Sequence, residues 1–430
     1  MNRQRGMTLV ELMVSLAIVL LIVSAASYAY LKLLWTYKSQ GAMSESYMAN
    51  LTGLEVLRYD IEMAGFGLPV TLTQNYSEAL ADTANTPKPS YNPSLLNDTP
   101  SNPPMPFVPG AARAVTGPVT LTGNHSAVLA IKSTTAWINQ TSAKWSTITN
   151  SSTGSGTPVV TSSDNPFAAG ENITVLDDTG TLLDWNLQFN LDYYTNASTL
   201  ANPSNQQVFY IYGIDPDQGN HGDRMPFNRV DYYLDNSPVT NGVPTIPSYC
   251  AQGTYVLYRS YISQTDGTLV RSPLVNCVED FQVAFGVVPV SGSAVIWQKD
   301  LGTEHFGGNA TTPMTITQIQ QYLREIRVFI LYQEGRGKVS ATGDFTSKGY
   351  FNLGDQQIAS SLDSSQYLLT GSNFMQFSTA QLADSTTSNA PQLNAPGFQP
   401  TGAATQYRWK IMEIDAKPMN LLGLPPNTIR

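Results

Sequence analysis

Gly6-Met7-Thr8-Leu9-Val10-Glu11-Leu12 is the stretch from which the rest of the chain is best read. A short leader carrying Arg3 and Arg5 ends in the glycine, and an apolar run begins immediately after it. From Leu12 to Leu31 the residues are nearly all apolar or small, a length of about twenty that suits a bilayer-spanning helix. Glu11 stands at the head of that run. The glycine precedes the apolar segment instead of following it, which is not the plan of an ordinary cleaved secretory signal. Arg3 and Arg5 favour a cytoplasmic N-terminus, so the bulk of the chain is expected on the far side of the membrane.

The helix is expected to continue past the membrane. Tyr47, Leu51, Leu54, Ile61 and Ala64 recur at three- and four-residue steps, with Leu57 beside them, as one buried face requires. Gly65, Gly67 and Pro69 then stop the helix. Beyond this point the chain reads as β-rich. Strands are expected at Ser126–Lys132, Asn172–Leu176, Gln207–Ile214, Val230–Leu234, Tyr255–Ile262, Val278–Val288, Arg324–Tyr332 and Tyr407–Asp415. A helical turn is expected around Ile316–Leu323. In Val278–Val288, Phe281, Val283, Phe285 and Val287 alternate with Asp280, Gln282, Ala284 and Gly286, the pattern of a half-buried strand. Residues 82–118 hold nine of the 27 prolines and read as loop. So do the Ser/Thr-rich stretches 147–165 and 378–406. The fold class is therefore α+β, one long helix packed on an antiparallel sheet with large loops.

Composition narrows the function. The formal net charge is −9, and loss of Arg3 and Arg5 takes it to −11. With no basic patch in view, nucleic-acid binding is not expected. Only three histidines occur, His125, His221 and His305, and they are scattered. No nucleophile elbow, zinc-protease helix or phosphate-binding loop is present, so no catalytic residues are assigned. Gly335-Arg336-Gly337-Lys338 follows a strand without a helix to capture phosphate, and reads as a turn. Asp215, Asp217, Asn220 and Asp223 are a weak calcium candidate, because oxygen ligands in a tight loop suit that ion. Their spacing departs from the EF-hand, and such clusters ordinarily mark turns; no other cofactor is expected. Cys250 and Cys277, the only cysteines, are expected to form one disulfide in an exported chain. The chain-entropy model values such a loop at roughly 3–4 kcal/mol.

The leader, the Gly6–Leu12 motif and the apolar run together resemble the type III signal of type IV pilins and type II secretion pseudopilins. The resemblance implies cleavage by a prepilin peptidase between Gly6 and Met7, methylation of the new Met7 amine, and pairing of Glu11 with the amine of a neighbouring subunit. Met7 departs from the phenylalanine usual there. A lone carboxylate in a bilayer costs about 2.5–3.5 kcal/mol on insertion scales, so a cationic partner is physically reasonable.

Asp60–Gly67, Val278–Gly286, Ile326–Leu331 and Tyr407–Leu421 narrow the likeness to PilW-like minor pilins, relatives of the J-type pseudopilins. Met419 stands where that group usually has a basic residue. The likeness implies a leader at 1–6, a membrane and filament-core helix at 7–36, an amphipathic continuation at 37–67 and an exported domain at 68–430. It implies a single-pass inner-membrane protein with a periplasmic domain, carried to the pilus and cell surface on assembly. The implied partners are other minor pilins, the major pilin, the prepilin peptidase, the inner-membrane assembly platform and a PilY-type tip adhesin. Presence of Glu11 implies a place below another subunit instead of the terminal cap. A type II secretion pseudopilin and a tip adhesin that merely uses the stem remain the alternatives.

Overall fold

The computed structural model describes residues 8–70, 76–86, 88–98, 112–117, 126–149, 159–161, 167–168, 171–182, 195–196, 208–215, 223–236, 246–288, 295–298, 301, 313–335 and 407–421. One helix, α1 (Leu9–Glu62), carries the first 54 residues of this set after Thr8. Thr8 caps it and Glu11 closes a capping box, the arrangement that satisfies two of the orphan amides at a helix start. At the other end Gly65 takes φ +81°, and its amide donates to the Lys132 carbonyl at 2.9 Å. A side chain at Gly65 would be strained in that conformation and would also strike Leu421. The glycine therefore ends the helix and docks the turn on the sheet.

Among the described residues thirteen strands follow in chain order: β1 (Val115–Thr116), β2 (Leu129–Ser133), β3 (Trp145–Thr149), β4 (Val159–Thr161), β5 (Asn172–Leu176), β6 (Thr195–Asn196), β7 (Val208–Asp215), β8 (Asn228–Asp235), β9 (Tyr255–Ile262), β10 (Leu269–Val287), β11 (Ile296–Gln298), β12 (Leu323–Glu334) and β13 (Arg408–Ala416). The short helix α2 (Ile316–Tyr322) leads directly into β12, with Thr315 and Gln318 forming a second capping box. The strands make two antiparallel sheets instead of one. The larger runs β1-β2-β8-β9-β10-β12-β13, with β11 added to β10; the smaller runs β4-β3-β7-β5-β6. Two strands of the smaller sheet, β3 and β4, fall within or overlap the stretch 147–165 expected to be loop. Their threonines, valines and isoleucine are β-branched, and that preference prevails over the loop-like Ser/Gly content around them.

The helix lies on the larger sheet by the expected face from Leu54 to Ala64, but that face is left exposed at Tyr47 and Leu51. Tyr47 and Leu51 stand 40% and 43% exposed, while Asn50, Leu54, Leu57, Asp60, Ile61 and Ala64 are buried. At Gly53 a β-carbon would lie 2.8 Å from the Leu274 carbonyl oxygen, so the helix meets β10 through its glycine. Tyr47 instead lies beneath the Lys410 ammonium of β13, 4.7 Å from the ring centre.

β10 from Cys277 to Val287 and β12 from Val328 to Glu334 are buried on both faces, not one. Phe281, Val283, Phe285, Ile326, Val328 and Ile330 join the main core. On the reverse side, Trp297 of β11 lies against Gly286 and beneath the Arg327 guanidinium, 4.4 Å from the ring centre. The alternation in the sequence is real, but both sides of these strands are covered. The Pro-rich stretch contributes 3-10 turns at Asp82–Ala84 and Pro93–Leu96, with β1 at its end. Stretch 378–406 lies outside the described residues.

Candidate assembly stem and its anchorage

The stem starts with a carboxylate already engaged. The Thr8 amide and hydroxyl donate to Glu11 Oε2 at 3.0 and 3.1 Å, and the Glu11 amide donates back to Thr8 Oγ1 at 3.3 Å. The motif by itself assigns Thr8 no role, although a threonine three positions before a glutamate at a helix start is a readable capping signal. Gly6 and Met7 lie outside the described residues.

Leu9–Lys38, 30 residues, is long and apolar enough to cross a membrane, and none of its described side chains is buried against the rest of the chain. At 1.5 Å per residue it measures about 45 Å, more than the roughly 30 Å of a bilayer core. Tyr28, Tyr30 and Tyr37 are exposed along its second half, where an aromatic belt would lie.

Where the stem reaches the domain it is fastened by charge. Asp60 is fully buried in the apolar face, and its Oδ2 accepts from Arg259 Nε at 2.7 Å and from the Tyr232 hydroxyl at 2.5 Å. Burial pushes the Asp60 carboxyl above its ordinary range, opposed by Arg259 and Tyr232. For Arg259, burial works against the charge, but Asp60 more than offsets it and the guanidinium ends above its usual value. The pair is best described as an ion pair that needs both members. Three- and four-residue spacing places Asp60 with Leu57, Ile61 and Ala64, so a buried acid was legible; Arg259, 199 positions on, was not.

A second buried network holds residues 76–98 against β2 and β8. Lys132 donates to Glu78 at 2.9 Å and to Asp98 at 2.7 Å; Arg229 reaches Glu78 at 2.7 Å and grips Asp231 with two nitrogens, both at 2.8 Å. Arg113 adds a third cation on Asp98 at 2.9 Å, and Tyr91 donates to Asp231. The three anions Glu78, Asp98 and Asp231 are thus matched by Arg113, Lys132 and Arg229, the balance that buried charge demands. Burial raises the Asp98 carboxyl, yet Lys132 and Arg113 outweigh it and hold the group below its ordinary range. Burial keeps the Tyr91 phenol well above its ordinary range, Asp231 adding to the effect.

Cys250 and Cys277 are bonded, with Cα atoms 5.1 Å apart. Of the calcium candidates, Asp215 and Asp223 are buried, and Asn172 lies between them. It is the cross-strand partner of Asp215 and donates to Asp223 at 3.3 Å. Asp217 and Asn220 lie outside the described residues, as do all three histidines. Among the described residues no three His, Cys, Asp or Glu side chains are grouped to hold a metal ion.

The geometry is that of an exposed apolar rod fastened to a β domain by buried bonds. Its N-terminal sequence matches the prokaryotic N-terminal methylation motif over residues 1–27. No curated protein and no solved structure matches the chain. The motif implies prepilin peptidase processing and a pilus-type assembly system, and with the N-terminal apolar helix it indicates a membrane-anchored subunit of structural kind. The motif marks the chain as a type IV pilin-like or pseudopilin-like precursor.

Proposed function

We propose that this chain is a PilW-like minor pilin, a non-catalytic subunit of the complex that primes type IV pilus assembly and sits at or near the filament tip. The observation that carries the reading is Glu11, an acid in the first turn of a 30-residue apolar span with no buried side chain among its described residues. An exposed apolar rod is stable in lipid or against other rods of its kind, and those are the two environments a pilin occupies in turn. After cleavage between Gly6 and Met7, the methylated Met7 amine of a neighbour is the cation that Glu11 would meet, setting the axial register. The anchorage through Asp60 suits a subunit pulled by its stem, because load applied to the rod is passed to β8 and β9 through buried bonds.

Other minor pilins, the major pilin, the assembly platform and a PilY-type tip adhesin are the partners this role requires. The domain is periplasmic before assembly and at the surface after it. The experiment is mass spectrometry of the mature chain together with co-purification of the full-length protein. An N-terminal methyl-Met7 and capture of other minor pilins support the reading. An intact leader, or an unmodified N-terminus elsewhere, overturns it. A gene deletion that abolishes protein secretion and spares piliation would move the assignment to a J-type secretion pseudopilin.

A further inference from the structure

β10 is the strand on which the larger sheet changes partners. Leu269 to Val278 pair with β9, and Val278 to Val287 pair with β12. Val278 is where the two pairings meet, with Tyr255 of β9 and Tyr332 of β12 as its register partners. The register slips on each side of this residue, between Val275 and Val278 against β9 and between Val278 and Asp280 against β12. Cys277, immediately before it, takes φ +56°, a left-handed conformation that costs a side-chain-bearing residue energy and is typical of bulges. These irregularities interrupt the ladder on both sides of Val278 and bend the strand there.

The turn that leads into β9 is fastened to both halves of the sheet at this joint. Cys250 in that turn is bonded to Cys277 of β10. The Ala251 amide donates to Gln333 Oε1 of β12 at 2.6 Å, and Gln333 Nε2 donates to the Tyr249 carbonyl at 3.0 Å. The β8–β9 half has its own tie to the stem through Asp60. The β12–β13 side meets the stem through Lys410 over Tyr47 and through an Asn420–Glu62 contact at 3.5 Å.

We propose that Cys250–Cys277 is a redox lock on this joint, closed by a thiol–disulfide oxidoreductase, and that its opening loosens the β12–β13 half while the β8–β9 half stays fixed to the stem. Cys250 is partly exposed and Cys277 is buried, so the enzyme's disulfide is attacked by the Cys250 thiolate. The Cys277 thiolate then displaces the enzyme from that mixed disulfide. Two thiols lose two electrons and two protons in all, and the oxidoreductase leaves as its dithiol. The inference takes from the proposed function only that the domain is exported; its test reads the fold and not filament assembly.

The test is hydrogen exchange by mass spectrometry on the full-length protein in detergent micelles, oxidised and after reduction and alkylation. Reduction is expected to speed exchange of 279–287, 324–334 and 408–416 by about tenfold or more, with 228–235 changed by less than about twofold. Uniform acceleration, global unfolding included, overturns the proposal, as does a change confined to 246–254. Gln333→Ala with the disulfide intact should give the same regional pattern at smaller amplitude. An unchanged or evenly spread pattern in that variant also counts against it.

Discussion

Asp60 of the stem and Arg259 of β9 lie 2.7 Å apart in the interior, separated by most of the intervening domain in sequence. The pair converts an amphipathic helix that could slide on its apolar face into one with a single seating. Gly53 against Leu274 removes the space for an alternative, and the Tyr232 hydroxyl fills the remaining side of the Asp60 oxygen. Specific seating is the best-attested use of buried charge, because the net energy of such a pair is small while the cost of leaving one member alone is large.

Asp60→Asn keeps the shape of the side chain and leaves Arg259 buried without its counter-charge. The expected loss is about 3–5 kcal/mol, the usual result of breaking a buried pair from one side. Replacing both members, Asp60→Leu with Arg259→Met, should recover much of that loss. Thermal unfolding of the three proteins in the same detergent checks this. A single variant as stable as the parent would mean that the pair does not fasten the stem.

How much of this was legible follows from how local each signal is. The apolar run, its acid and the Gly65 stop depend on neighbours in sequence, and the helix forms where they indicate. The strands at 172–176 and 255–262 lie where β-branched and aromatic residues concentrate. What could not be read was which side of a strand would be covered and what a buried charge would meet. Lys132, inside an apolar strand, finds Glu78 and Asp98 on a loop more than thirty residues earlier; nothing in either segment names the other. The close approach of Gly53 to Leu274 has the same origin, since neither segment names the other.

Asp98 makes the domain acid-sensitive. Its folded carboxyl lies below the ordinary value, so in the interval between the two the unfolded chain binds more protons and stability rises with pH. Its contribution is complete above the unfolded value, near 3.9, and is lost as the pH falls through the folded one. Unfolding midpoints measured from pH 7 down to pH 2 should fall more steeply below about pH 4 for the parent than for Asp98→Asn. Equal slopes would show that the network does not depend on this charge. The variant should also be less stable at pH 7, where Lys132 and Arg113 lose their acceptor.

Glu325 has the opposite sign. Burial raises its carboxyl above the ordinary value, and Asp415 beside it adds to the shift, with Arg327 opposing both. The folded chain therefore binds the extra proton between the ordinary and the raised value, and stability falls as pH rises through that window. Glu325→Gln removes the cost of ionising this group while keeping a hydrogen-bonding side chain. At pH 7 it should be as stable as the parent or slightly more so, with the difference vanishing near pH 4. A variant clearly less stable at pH 7 would indicate that the ion pair with Arg327, at 3.1 Å, outweighs the repulsion.

Glu11 has two separable tasks, and the capping box shows how to divide them. As the third residue of the first turn it accepts from Thr8, a task that glutamine performs equally well; as an anion it would meet the Met7 amine of a neighbour, which glutamine does not do. Glu11→Gln should therefore keep the helix start, the cleavage after Gly6 and the methylation of Met7, yet abolish incorporation into filaments as fully as Glu11→Ala. Thr8→Ala weakens the cap and leaves the charge, so it should reduce incorporation far less. Counting the protein in sheared pili against total cell protein, with the N-terminus checked by mass spectrometry, measures all three. If Glu11→Gln assembles like the parent while Glu11→Ala does not, the carboxylate serves only to start the helix, and register must be set by another part of the stem.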